Sequence, residues 1–327
     1  MGLLIEGAWH DDSHDSKQME RGRFVRPQTR YRNWVTPDGR AGPTGEAGFP
    51  ADAHRYHLYV SLACPWAHRT VIFRRLKRLE PVISMSIVEP IWGEQGWQFG
   101  NYPGATLDTA NDRRTLAEVY LMGDPRYSGR VTVPVLWDKK RCIIVNNESA
   151  EIIRMLNSAF DRFTGVKTDY YPRPLRDEID RINARVYDNV NNGVYRAGFA
   201  TTQEAYEEAF RTLFAVLDEI ESRLSGRRYL LDGQITEADW RLFTTLVRFD
   251  AVYYSHFKCN RQRINDYRNL SNYLRDLYQV PGIAETVSLD HIKHHYYGSQ
   301  RRINPTGIVP LGPELDFTAP HDRARFG

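Results

Sequence analysis

No stretch of this 327-residue chain approaches the roughly 20 consecutive apolar residues that a bilayer-spanning helix requires, so no membrane span is expected. The N-terminus, Met1 to Lys17, turns acidic and His-containing after Ile5, which is not the form of a secretory signal. Glu6 stands where a myristoylation signal needs Ser or Thr. An excess of one charge is also lacking: 44 Lys and Arg against 41 Asp and Glu leave a net +3. That balance gives no reason to expect a nucleic-acid or membrane-surface partner. Cysteine is scarce. Cys64, Cys142 and Cys259 make an odd, sparse set that suits a reducing compartment rather than a disulfide scaffold, so the cytoplasm is the expected location. No internal repeats occur.

What is present is ordinary for a globular protein, with 41% hydrophobic and 26% charged residues and length enough for two cores. Nineteen tyrosines, seven tryptophans and fourteen phenylalanines supply aromatic surface for packing or for holding flat ligands. Residues 1–54 are polar and Gly/Pro-punctuated and read as an irregular extension. Strand-like "HLYVSL" from His57 then meets Ala63-Cys64-Pro65-Trp66, and "AHRTVIFRRLKRL" from Ala67 is an amphipathic helix with its arginines on the outer side. A second strand in "PVISMSIVEPIW", a Gly/Trp-rich loop and a helix over 112–120 follow. "GRVTVPVLWDKKRCIIVNNESAEIIRMLNSAF" reads as strand, turn, strand and helix, with Ser149 at the cap and Cys142 in a strand core. This order predicts an α/β thioredoxin-like domain over 55–165. Past a Pro/Tyr-rich linker, helical periodicity over 175–191, 203–225, 236–256, 269–279 and 280–297 predicts an all-α domain, 175–327, ending in an extended tail. Thr236 and Asp239 have capping-box spacing, a folding signal.

The chemistry concentrates at Cys64. Pro65 fits the first helical position, where its missing N–H costs nothing. Cys64 then sits at the N-cap, facing free N–H groups and the positive end of the helix dipole. Such a setting lowers a cysteine pKa from about 8.5 toward roughly 3.5–7.5, and the thiolate is the nucleophile. His68 and Arg69 add positive field. The competing reading is a small buried hydrophobe, as most free cysteines are. Ala67 occupies the place of the second cysteine of a C-x-x-C motif, so no internal disulfide forms there. The partner thiol must come from outside, which suits mixed-disulfide chemistry with glutathione.

Two further features fit such a ligand. Val133-Pro134 interrupts a strand, as a central strand would not otherwise tolerate; in thioredoxin-like folds such a proline is cis, and the residue before it offers its backbone to a peptide-like ligand. Glu148-Ser149 opens a helix whose N–H groups and Ser hydroxyl can receive a carboxylate, while Glu148 can pair with an amino group. Each also has a plainer reading, an edge-strand proline and a helix cap.

These residues, "SLACPWAHRT", "WGEQGWQFGNYPG" at 92–104, "VTVPVLWDKK" at 131–140 and "NNESAEIIRMLN" at 146–157, resemble the glutathione transferase superfamily. With "NNGVYRAGFATTQEAYE", "ITEADWRLF", "RFDAVYYSHFKCN" and "DHIKHHYYGSQRRINPTGIVPLGP", the resemblance covers nearly the whole chain and narrows to the glutathionyl-hydroquinone reductases, the Xi class. It implies the glutathione transferase fold and a homodimer. It implies glutathione as co-substrate, bound by Trp97, Arg130, Val133, Glu148 and Ser149, with Cys64 catalytic. Tyr195, Tyr253 and Tyr296 would form the aromatic-substrate pocket. The implied reaction takes glutathione off a glutathionyl-hydroquinone through a Cys64–glutathione disulfide, which a second glutathione resolves.

Rival readings remain. The same Cys64 would serve an omega-like thioltransferase or dehydroascorbate reductase, and a non-catalytic transferase-like interaction module is a third class. His291, His294 and His295 cluster near one helical turn, but without the Glu of a catalytic zinc pattern, so no metal is expected. The run Arg74-Arg75-Lys77-Arg78 reads as a solvated helix face.

Overall fold

The computed structural model describes residues 2–11, 19–231 and 233–327. They form two compact units. One takes residues 2–11 and 28–168; the other takes 19–27 and 169–327.

The lead-in is not irregular throughout. It carries the hairpin β1 (Leu3–Ile5) and β2 (Ala8–His10), the hairpin β3 (Met19–Glu20) and β4 (Arg23–Phe24), and the parallel pair β5 (Trp34–Thr36) and β6 (Gly48–Pro50). Of these, β3 and β4 belong to the second unit and the rest to the first.

The first unit is built on a four-stranded sheet. β7 (Tyr56–Val60) lies between β8 (Ser84–Ile87), which is parallel to it, and β9 (Val135–Asp138), which is antiparallel; β10 (Ile143–Asn146) pairs with β9 at the edge. Every residue of β7 is buried, as a central strand covered on both faces requires. α1 (Pro65–Leu76) links the parallel strands and packs against α3 (Ser149–Ser158). The lead-in protects the open side of β10: Asn33 N–H donates to the Val145 carbonyl at 3.1 Å, and Arg32 pairs with Glu151 of α3. An edge so covered cannot template another chain.

α2 runs from Leu116 to Gly123, not from 112, because Thr115 caps it. The Thr115 hydroxyl accepts from Glu118 N–H, and Glu118 accepts from Thr115 N–H at 2.9 Å. This capping box, worth on the order of 1 kcal/mol, sets the start. α3 likewise begins differently from the sequence reading. Glu148 is its N-cap, with its carboxylate accepting from Ala150 N–H at 3.1 Å, and Ser149 is the first helical residue. Cys142 is no strand-core residue: it lies exposed in the β9–β10 turn at φ 53°. α4 (Asp161–Thr164) closes the unit.

The second unit is helical. It comprises α5 (Arg176–Val186), α6 (Gly193–Gly198), α7 (Gln203–Leu224), α8 (Glu237–Arg248), α9 (Arg268–Tyr278) and α10 (Leu289–Ser299). The capping box of α8 is present, Asp239 accepting from Thr236 N–H at 2.8 Å. The segment 280–297 is not one helix. A short 3-10 turn at Ala284–Thr286 precedes α10, whose cap Ser288 accepts from His291 N–H at 3.2 Å. Two single π-helical turns, Tyr187–Asn191 and Phe249–Tyr253, extend α5 and α8. Such turns shift the register of a helix and gather at functional sites. No helix among the described residues is long and apolar enough to cross a membrane.

Candidate functional site

In the first unit Cys64 is the N-cap of α1, in extended conformation (φ −77°, ψ 122°), with Pro65 as the first helical residue. Its carbonyl accepts the helix's His68 N–H at 2.9 Å, while its side chain makes no capping bond. The thiol is half-buried and donates to the Val133 carbonyl at 3.7 Å. The Val133–Pro134 peptide bond is cis. The cysteine, the backbone before the proline and the start of a helix therefore meet at one place.

The first turns of α1 and α3 are tied together by Arg69. Its guanidinium is buried, lies 4.6 Å from the Trp66 ring centre and donates to the Ser149 hydroxyl at 3.3 Å. Glu148, half-buried, accepts from the Thr29 hydroxyl at 3.3 Å as well as capping α3. Trp97 is buried in the loop after β8, its carbonyl accepting from Leu116 N–H at 2.9 Å and its ring edge-to-face with Trp92. Arg130 is held through its backbone, where the carbonyl accepts from the Tyr127 hydroxyl at 3.0 Å.

One residue that sequence reasoning missed organises this neighbourhood. Tyr120, wholly buried on α2, donates its hydroxyl proton to the Thr132 carbonyl at 2.9 Å. It accepts from Thr132 N–H at 3.3 Å and from Asn147 Nδ2 at 3.2 Å. One donor and two acceptor positions are thereby filled, which is the full capacity of a phenol. The two segments joined, 132–133 and 147–149, are those that carry Val133, Glu148 and Ser149. A buried tyrosine in an apolar helix gives no local signal of this.

The second unit brings the three predicted tyrosines together. Tyr195 is on α6, Tyr253 ends the π-helical turn after α8, and Tyr296 is on α10. The Tyr296 hydroxyl lies 2.5 Å from that of Tyr195 and 2.9 Å from that of Tyr253. Tyr253 and Tyr296 are fully buried, and Tyr195 retains 8% exposure. Burial pushes the Tyr253 and Tyr296 phenols well above their ordinary range, against the opposing pull of the Arg248 guanidinium. Arg248 is itself fully buried and donates to the Thr244 carbonyl at 2.8 Å. The cluster is a hydrogen-bonded set of buried phenols near the Arg248 guanidinium.

The histidines of α10 face different surroundings. His295 lies edge-on to Tyr296, His291 is buried, and His294 is paired with Asp290 at 3.1 Å. Among the described residues no group of three or more His, Cys, Asp or Glu is placed to hold a metal ion. Cys259 is buried, which pushes its thiol up, away from reactivity at neutral pH.

Residues 63–159 match the family model "Glutathione S-transferase, N-terminal domain", and residues 203–276 match "Glutathione S-transferase, C-terminal domain". The chain is 58% identical over 329 residues to the glutathionyl-hydroquinone reductase YqjG of Escherichia coli, covering 100% of both. It is 54% identical to the glutathionyl-hydroquinone reductase PcpF of Sphingobium chlorophenolicum, covering 96% of both. The glutathione-bound structure of E. coli YqjG superimposes with a TM-score of 0.91, at 56% identity and 99% coverage of each chain. The thioredoxin-like sheet, the helical second unit and these full-length likenesses agree: the chain belongs to the glutathionyl-hydroquinone reductases, the Xi class of the glutathione S-transferase family.

Proposed function

We propose that this protein removes glutathione from glutathionyl-hydroquinones, with Cys64 as nucleophile and glutathione as co-substrate. The observation that carries the reading is the cysteine itself, an N-cap thiol on α1 with Ala67 where a second thiol would have to stand. Full-length likeness to two reductases of this name supports the choice of substrate.

The thiolate of Cys64 attacks the sulfur of the conjugate in its keto tautomer. A sulfur–sulfur bond forms, the ring carbon–sulfur bond breaks, and its electron pair leaves with the ring as an enolate. Protonation of that enolate gives hydroquinone. The enzyme thiol and the glutathione sulfur are thereby oxidised to a mixed disulfide, and the ring carbon is reduced. A second glutathione thiolate then attacks the glutathione sulfur, releasing oxidised glutathione and Cys64 thiolate. The helix N-terminus favours the thiolate in both steps.

In this reading Val133 offers its backbone to the peptide part of glutathione. Glu148 and Ser149 at the start of α3 receive the γ-glutamyl head, and Trp97 and Arg130 complete the glutathione site. Tyr195, Tyr253 and Tyr296 receive the ring oxygens and supply the proton that turns enolate into hydroquinone. The setting is the cytoplasm, where glutathione is kept reduced, and the assembly is a homodimer.

The test is turnover of a glutathionyl-hydroquinone with excess glutathione. Hydroquinone release that vanishes in Cys64→Ser supports the reading. Activity confined to simple mixed disulfides would make the protein an omega-like thioltransferase instead.

A further inference from the structure

Residues 19–27 belong to the helical unit although the chain passes through them before the sheet is built. The β3–β4 hairpin is fastened there by several contacts. Thr201 N–H donates to the Gly22 carbonyl at 3.1 Å. Gly22, at φ +81°, approaches so closely that a Cβ would meet Thr202 Cγ2 at 2.6 Å, so only glycine fits both conditions. Arg23 donates through Nε and Nη2 to Glu208, at 3.0 and 2.7 Å. Phe24 is buried with its ring 5.2 Å from that of Phe199.

Two residues on, this hairpin delivers Arg26 to α6. The guanidinium carbon lies 4.8 Å from the centre of the Tyr195 ring, and Nε donates to Asn192 Oδ1 at 2.7 Å. Asn192 and Tyr195 are three residues apart and share one helix face. A single planar group therefore grips both the entry to α6 and the ring that α6 presents. The ring also lies against Phe257, edge-on at 5.5 Å, and against Phe199 at 5.8 Å and Tyr253 at 6.0 Å. The helix packs tightly on that side, since a Cβ on Gly198 would lie 2.2 Å from the Phe257 ring.

We propose that Arg26 is a positioning residue for the hydroquinone reaction: it holds the Tyr195 ring, and through it the hydroxyl that meets a substrate ring oxygen. The inference rests on the tyrosine role proposed above and extends the specificity machinery to the 19–27 hairpin. Tyr195 is the suitable member to hold, since it alone of the three phenols keeps some exposure. A cation over its face also favours negative charge building on its oxygen. Lysine cannot replace this grip, because a point charge on a flexible stem cannot stack and fork at once.

The experiment compares Arg26→Lys and Arg26→Met with the wild type on two substrates. One is a glutathionyl-hydroquinone; the other is a small glutathione mixed disulfide that has no ring oxygens. Misplacement of a reacting group by about 1 Å costs up to roughly 100-fold, so kcat on the hydroquinone conjugate should fall about tenfold or more in both variants. The ratio of kcat on the two substrates should shift by the same factor, with KM for glutathione unmoved. In a Tyr195→Phe background Arg26→Met should add less than about twofold, because the hydroxyl it holds is already gone. Equal losses on both substrates, wild-type kcat in the lysine variant, or a full further loss in the Tyr195→Phe background each overturns the assignment. Unfolding midpoints accompany every variant. Should one fail to fold, Asn192→Ala removes the same grip from its other end and is read by the same ratio. A wild type that releases no hydroquinone sinks the proposed function and this inference with it. Arg26 variants that match an active wild type sink the inference alone.

Discussion

The hydroxyl of Tyr195 lies 2.5 Å from that of Tyr296, although 101 positions separate them in the chain. With Tyr253 at 2.9 Å from the same Tyr296 oxygen, three phenols share two hydrogen bonds. Tyr296 is the middle member. Its substitution by Phe removes both bonds and leaves two hydroxyls without these partners, at a cost of about 1–3 kcal/mol in stability. Hydroquinone release should fall by roughly 10²-fold or more, as for a lost proton donor. Turnover of small mixed disulfides should persist. Parallel assays on both substrates, with an unfolding midpoint for each variant, check this; equal loss on both would remove the tyrosines from the chemistry.

The same burial predicts an alkaline weakness. Tyr253 and Tyr296 ionise near pH 10 when exposed to water and well above it in the fold. Below pH 10 both states keep these protons, and the contribution to stability is complete. Above pH 10 the unfolded chain releases protons that the folded chain retains. Stability then falls by up to about 1.4 kcal/mol per pH unit for each such phenol. Denaturant unfolding at pH 8 through 11 should show a decline that begins near pH 10. Tyr253→Phe should make it shallower, and an unchanged slope would mean that water reaches the phenol.

How far these features were legible in the sequence follows from their range. Cys64 and Pro65 are adjacent, and a strand, a Cys-Pro pair and an amphipathic helix together state the thiol's setting. Thr236 and Asp239 are three apart, and their capping box is present. Serine is the commoner cap, which points to Ser149 in the sequence; Glu148 takes the role since its extended backbone lets the longer carboxylate reach Ala150 N–H. Cys142 directly precedes the apolar run Ile143-Ile144-Val145, yet the β9–β10 turn extends far enough to expose it. Meetings between Tyr195, Tyr253 and Tyr296, or between Arg26 and Tyr195, depend on two π-helical turns and on a hairpin from another part of the chain. No periodicity records them. In the sequence, family resemblance alone points to the tyrosines.

Tyr120 offers a test of how the first unit keeps its segments in place. Tyr120→Phe leaves Thr132 N–H, Thr132 C=O and Asn147 Nδ2 without their shared partner. Stability should drop by about 1–3 kcal/mol. If Val133, Glu148 and Ser149 bind glutathione, KM for glutathione should rise several-fold while alkylation of Cys64 in the absence of glutathione stays near its wild-type rate. A variant with wild-type glutathione KM would separate the phenol from the binding site.

Cys64 itself is open to direct test. Its place at the N-cap puts it at the positive end of the α1 dipole, an arrangement that favours thiolate over thiol. The half-buried sulfur remains open to a small alkylating reagent. The rate of alkylation against pH should therefore inflect well below about 8.5, the value for a free cysteine. Cys142 is exposed as well and supplies a second reactive thiol, so the measurement belongs in a Cys142→Ser background. Cys259, buried with its thiol pushed up, should stay silent throughout. A single-turnover experiment tests the mixed disulfide directly. Glutathionyl-hydroquinone added without free glutathione should release about one hydroquinone per active site and leave a protein heavier by one glutathionyl group, reversible by added glutathione. Release without that mass increase would mean that the ring is freed by a route that does not pass through the cysteine.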